Sequence, residues 1–347
     1  MPRRASSPGA SHESPLVSEQ SAAPGSADFP PADSPPADWD RALPFQLDTL
    51  GVRGRLVRLG PSLDAVIERH GYPLAVARPL AEAMVLAATL ASSLKYDGVF
   101  TLQLSGDGPI RLLVTDVTSD GAVRGYAQHD QGALAAALGG DGEADAPDGY
   151  VPKLFGAGRL AFTVDQSQRT QRYQGIVPLE GPTLADCAHT YFRQSEQLPT
   201  GIKIVARREQ AEGRTHWRAA ALMVQQMPEL DAGRIHHIDP DQREDDWRRA
   251  VILMASATER EMLDPALPGT TLLYRLFHED GARLFERRAF QSRCRCSRQR
   301  VDTMLRSIGR TELATLRDVR GLVAVKCEFC STSYDYGETD LDWLYKS

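Results

Sequence analysis

Four of the five cysteines lie in one C-terminal stretch, where Cys294 and Cys296 form a Cys-x-Cys pair and Cys327 and Cys330 a Cys-x-x-Cys pair. In extended backbone residues i and i+2 point to one face, so Arg293-Cys294-Arg295-Cys296 can aim both sulfurs the same way. The two-residue gap in Lys326-Cys327-Glu328-Phe329-Cys330 suits a tight turn that lets both sulfurs grip one ion. Between the pairs, residues 297–326 leave room for a helix and a turn that bring them together. Four thiolates and no histidine favour a single tetrahedral Zn²⁺ in a closed site. Such a site can simply hold the tail folded, or it can respond to oxidants. Cysteines at i and i+2 form a disulfide only if the chain bends, so metal binding and oxidation demand different backbones there.

Arg293, Arg295, Arg298 and Arg300 make the first pair locally basic. Four thiolates around a divalent ion leave a charge of about −2, and nearby cations compensate it while favouring thiolate over thiol. A nucleic-acid patch is the weaker account, because the chain's net charge is −6 and no aromatic residues interleave with the basic ones.

The elements that position these cysteines follow from the rest of the 347 residues, of which 42% are apolar, enough for one large domain and a smaller one. Residues 1–42 read as a disordered tail rich in Pro, Ser and Ala. A core domain is expected over 43–230. Val52 to Leu59 suggests a strand, Ser62 a cap for a short helix, and Pro79 the start of a longer, buried helix through Leu94. Phe100, Leu102 and Leu104 alternate with polar residues and lead through turns into Leu112–Val117 and Val123–Tyr126, an antiparallel meander. A second hairpin runs from Leu160–Val164 to Tyr173–Val177. Thr183 and Asp186 make a capping box for a helix through Phe192, and strands over Ile202–Ala206 and Trp217–Val224 close the region. The pattern is α+β: an antiparallel-sheet core domain with packed helices, then a helical linker and a small C-terminal zinc-binding domain. The linker, 231–290, mixes ten acidic and eight basic residues between Asp241 and Phe290 with short apolar groups, reading as two or three amphipathic helices broken at Pro265 and Pro268. Residues 291–347 form the zinc domain.

Other chemistry is not signalled. Gly106-Asp107-Gly108 lacks the Gly-Lys-Ser/Thr of a phosphate loop, and no dinucleotide fingerprint, hydrolase elbow or metalloprotease helix is present. No nucleotide partner is therefore expected. Cys187 reads as a small buried residue, and His236-His237 as an exposed linker pair. No apolar run reaches the ~18 residues of a membrane span, and Arg3 and Arg4 are not followed by the apolar core of a secretory signal. The cytosol is the expected compartment, where clustered cysteines mean metal or redox sensing.

Several stretches resemble the redox-regulated 33 kDa chaperonin (heat shock protein 33) family: Leu94-Lys95-Tyr96-Asp97-Gly98, Leu102 to Pro109, Val123-Arg124-Gly125-Tyr126, Tyr173-Gln174-Gly175, Tyr191 to Thr200, and both cysteine pairs. The likeness runs from about Leu43 to the C-terminus. It departs at the proline-rich start, and at Ala220-Ala221, where the family often has two glycines. The resemblance implies a cytoplasmic, non-enzymatic holdase that binds unfolding proteins without ATP and dimerises when active. It also implies that oxidation pairs Cys294 with Cys296 and Cys327 with Cys330, releases zinc, and unfolds tail and linker. On that reading Trp247, Met254, Leu272, Leu276 and Phe277 are expected to contact clients or pack the linker on the core. The alternatives are a thiol-disulfide oxidoreductase using Cys327 and Cys330, for which a thioredoxin-like setting is missing, and a structural zinc-ribbon nucleic-acid binder.

Overall fold

The computed structural model describes residues 38–140, 144–166, 172–196, 198–211, 213–228 and 239–346. Of the expected tail, residues 1–37 lie outside them, as do His236 and His237. Described backbone begins ahead of Leu43. Strand β1 (Arg41–Leu47) pairs with β2 (Val52–Leu59), and Asp40 just before it accepts the Gly60 and Ser62 amides at 3.0 and 2.9 Å. Those bonds satisfy the start of helix α1 (Pro61–His70), so the cap comes from Asp40 rather than from the expected Ser62, which is buried.

Helix α2 (Leu74–Ser93) begins five residues before Pro79. Pro73 takes the cap position and its carbonyl accepts the Val76 and Ala77 amides, while Pro79 sits inside the helix. Helix α2 is long and apolar enough to cross a bilayer by length and composition alone, but Arg78 and Glu82 interrupt its apolar run and 89% of its most apolar stretch is buried within the protein.

What buries it is a pair of sheets. After α2 come β3 (Gly98–Gly106), β4 (Ile110–Thr118), β5 (Ala122–His129), α3 (Gln131–Ala137), α4 (Tyr150–Phe155), β6 (Gly158–Gln166), β7 (Arg172–Pro178), α5 (Leu184–Tyr191), β8 (Thr200–Ala211) and β9 (Arg214–Gln226). The capping box of Thr183 and Asp186 opens α5 as expected. The linker region supplies α6 (Pro240–Ser256), α7 (Glu259–Leu263), α8 (Gly269–Phe277) and the short strands β10 (Ala282–Leu284) and β11 (Arg288–Ala289), and the short strand β12 (Gln291–Ser292) opens the segment that follows. One sheet has the order β10-β1-β2-β9-β8, with β11 also on β1; the other runs β12-β5-β4-β3-β6-β7. Strand β12 lies parallel to β5, and the other pairs are antiparallel.

Period-two alternation gives the first sheet two buried faces. Ala42, Val57, Leu59, Ala219, Ala221 and Met223 face inward to the core that contains α1 and α2. Leu43, Phe45, Leu47, Leu56, Leu222 and Val224 face outward and are covered by α6, α7 and α8 through Met254, Met262, Leu263, Leu272, Leu273 and Phe277. Ala220 and Ala221 thus divide between the two faces, both fully buried. Phe45 stacks on Phe277 with ring centroids 5.4 Å apart, and Gly54 makes room for it, since a Cβ there would lie 2.1 Å from the Phe45 ring.

The C-terminal part holds α9 (Arg298–Arg306), α10 (Arg310–Thr315), β13 (Val323–Lys326), β14 (Ser333–Tyr336) and α11 (Glu338–Lys346). Its core is small: Val301, Leu305, Leu313, Val323, Tyr336, Leu341 and Leu344. A cluster of that size stabilises a fold only marginally without a further tie.

Candidate metal centre

Cys294 and Cys296 follow β12 in irregular backbone, whereas Cys327 and Cys330 bracket the turn between β13 and β14. That turn is closed by the Cys327 amide on the Thr332 carbonyl at 2.9 Å and the Ser331 amide on the Cys327 carbonyl at 2.8 Å, with Ser331 at a φ of 58°. The four Sγ atoms all lie within 4.8 Å of one another. The short approaches run between the pairs, 3.7 Å from Cys294 to Cys327 and 3.3 Å from Cys296 to Cys330. Sulfurs bound at ~2.3 Å to a tetrahedral ion stand a little under 4 Å apart, so the cluster fits one metal ion. All four cysteines are unbridged and half-buried.

Burial and neighbouring groups push the thiol pKa values apart, raising Cys296 and Cys327 and lowering Cys330. Burial opposes ionisation of Cys330, but the Thr332 hydroxyl at 3.2 Å, the Thr332 amide and the adjacent thiols bring its pKa down to about 6. Burial and the neighbouring sulfurs push Cys296 up to about 12, although Tyr334 donates its hydroxyl to that sulfur at 3.2 Å. One thiolate is held by its thiol neighbours, as in a site ready to exchange protons for a cation.

The flanking arginines behave otherwise than expected from compensation alone. Arg295 reaches the buried Asp116 carboxylate on β4 at 2.7 Å, Arg293 pairs with Asp120, and Arg298 bonds Asp340 at 2.9 Å while lying over the Tyr336 ring. The guanidinium that reaches a cysteine sulfur is Arg124 of β5, whose terminal nitrogen lies 3.8 Å from Cys294 Sγ. Sequence reasoning placed Arg124 in a strand and missed this role; an arginine opposite an aspartate on neighbouring strands was the available signal. His70 adds a second tie between core and tail, with Nε2 2.8 Å from the Glu328 carbonyl oxygen.

Of the other singled-out residues, Met254, Leu272 and Phe277 are buried under the linker helices and Trp247 and Leu276 are half-buried beside them. They belong to one apolar layer against the outer face of the first sheet. Cys187 is fully buried in α5, and burial pushes its thiol up to about 12, which makes it inert.

A family profile described as Hsp33 protein matches residues 40–337. The chain is 40% identical over 295 residues to a 33 kDa chaperonin of Caulobacter vibrioides, covering 84% of this chain and 92% of that protein. It is 38% identical over 310 residues to a 33 kDa chaperonin of Azotobacter vinelandii, covering 89% and 95%. Its backbone is similar to the crystal structure of a 33 kDa chaperonin, a heat shock protein 33 homolog, from Thermotoga maritima, with a TM-score of 0.69 and 21% identity over 88% of this chain and 98% of that one.

Proposed function

The chain belongs to the Hsp33 family of chaperones, and from that premise we propose that it is a cytoplasmic, ATP-independent holdase switched on by oxidation. The observation that carries the reading is the four-sulfur cluster, which brings both cysteine pairs to one point in a tail that has only a small core of its own. Residues 43–230 are the chaperone core, 231–290 the linker, and 291–347 the switch.

In the reduced state Cys294, Cys296, Cys327 and Cys330 hold one Zn²⁺. The ion, when bound, supplies roughly 10–16 kcal/mol of apparent folding free energy to the segment that carries its ligands. A thiolate sulfur attacks a peroxide oxygen, breaking the O–O bond to give a sulfenic acid, which condenses with the neighbouring thiol. Each disulfide formed takes two electrons from two thiolates to one peroxide molecule, which takes up two protons and leaves as two waters. The pairs are Cys294 with Cys296 and Cys327 with Cys330. Neither disulfide can remain a bidentate thiolate ligand, so the tail loses its tie. Helices α6, α7 and α8 then lift from the first sheet, baring an apolar layer to which Trp247, Met254, Leu272, Leu276 and Phe277 contribute. Unfolding proteins bind there, and the active form is a homodimer.

The experiment is zinc release measured together with suppression of aggregation of a thermally unfolding client, before and after oxidant. Coupled, reductant-reversible rises in both are expected. Zinc loss without any gain in holding would leave the site a structural one and end the holdase reading.

A further inference from the structure

The ion pair of Asp116 and Arg124 belongs to the core, yet it touches both cysteine pairs. The two residues face each other across β4 and β5. Arg124 donates to one Asp116 oxygen through Nε at 2.8 Å and a terminal nitrogen at 2.6 Å, and Arg295 donates to the same oxygen at 2.7 Å. Thr101 donates to the other oxygen at 2.7 Å, which fixes the carboxylate from the far strand. Asp116 is 4% exposed. Arg295 stands between Cys294 and Cys296. The Arg124 guanidinium carbon lies 3.8 Å from the centre of the Phe329 ring, and Phe329 stands between Cys327 and Cys330. One buried carboxylate therefore organises two guanidiniums: Arg295, which belongs to the segment of the first pair, and Arg124, which reaches Cys294 by a hydrogen bond and the second pair through the Phe329 ring face.

Resting on the redox-switch reading, we propose that Asp116 and Arg124 are the positioning residues that dock the cysteine cluster on the core, and that they hold it only while its sulfurs carry charge. Two guanidiniums against one carboxylate leave one surplus positive charge facing the cluster. Four thiolates with a divalent ion present about −2 to it. Two disulfides present none: four electrons have gone to two peroxide molecules and the ion has left as a cation. The surplus charge then has no counter-ion in a half-buried setting, and the docked arrangement loses its electrostatic support. The core thereby senses the oxidation state of the tail through net charge, in addition to the loss of metal ligation.

Docking has a direct reporter, because the Gln291 and Arg293 amides donate to the Gly121 and Val123 carbonyls of the core at 3.0 and 3.1 Å. Hydrogen exchange at these two amides, with zinc content per chain, is measured on reduced full-length protein carrying Arg124→Gln. Retained zinc with exchange faster by about tenfold, the scale of a lost charge-assisted bond, is the expected result. Unchanged exchange would overturn the proposal, and so would exchange that rises only in proportion to zinc lost. If Arg124→Gln does not fold, Phe329→Leu removes the ring from the tail side and is judged by the same outcomes. Since both readouts use reduced protein, they stand apart from whether oxidised wild type holds clients, which decides the functional reading alone.

Discussion

Arg58 on β2 donates to the Leu267 carbonyl at 2.6 Å and to the Glu261 carbonyl at 3.0 Å, so a core cation is clasped by the backbone of the linker. Arg58 is 1% exposed, its Nε has no partner among the described residues, and burial lowers its pKa to about 10. Lys203 repeats the arrangement on β8, donating to the Ala255 and Ala257 carbonyls at the end of α6 at 2.9 and 2.5 Å. Arg58→Ala leaves two carbonyls unpaired and is expected to destabilise the docked linker by about 2–4 kcal/mol. Exchange of the α7 and α8 amides checks this; unchanged protection would show the clasp to be incidental.

Phe277→Ala opens a cavity between α8 and Phe45. A loss of about 3–5 kcal/mol is expected for a fully buried phenylalanine, with reduced protein gaining partial holding activity as the linker loosens. Chemical denaturation and client aggregation measure the two effects. Destabilisation without activation would separate linker packing from the control of client binding.

His189 accepts the Ile202 amide on Nε2 at 2.9 Å, and burial lowers its pKa below the usual 6.5 against a smaller opposing effect of Asp186. Its native state binds the proton less well than the unfolded chain. This contribution to stability is therefore present above pH 6.5 and lost as pH falls towards the lower native value. Denaturation midpoints from pH 7.5 to 5 should show the loss, and His189→Gln should flatten it. An unchanged slope would locate the acid sensitivity elsewhere.

Chelation under reducing conditions should lower the stability of the C-terminal part while leaving the two-sheet core unaffected. The small cluster around Leu305 and Tyr336 lacks the apolar area to persist alone. Two separate thermal transitions are expected to appear, with Trp343 reporting the lower one by fluorescence. One cooperative transition at the original temperature would mean that the metal adds little to tail stability.

The cysteine cluster was legible because its chemistry is written in residue type and spacing. So were the long strands, where one face is apolar and the pattern alternates. Strand β1 was missed because it follows a proline-rich stretch and contains Pro44. That residue sits where the pairing of β1 passes from β10 to β11, so its missing N–H is not required by the ladder. Strands of two or three residues, such as β11 and β12, carry no periodicity to detect. Pro79 misled because the helix-start rule fits Pro73 instead. The Asp116–Arg124 pair could be read as a cross-strand ion pair, but its role could not, because that depends on what a segment about 170 residues later brings to it.

Strand β1 has two neighbours, one adjacent in sequence and one made by residues 282–289. During synthesis the first forms as the chain emerges, and the second must wait for more than two hundred further residues. At about 5–20 residues per second, the outer face of the first sheet stays bare on the ribosome for several seconds or more after β9 has paired. Every newly made copy thus passes once, before any oxidant, through a state whose exposed surface matches the one proposed for the opened protein. Closure in the reduced cell is then the last act of biosynthesis, and its speed determines how long a nascent chain remains adhesive to its neighbours.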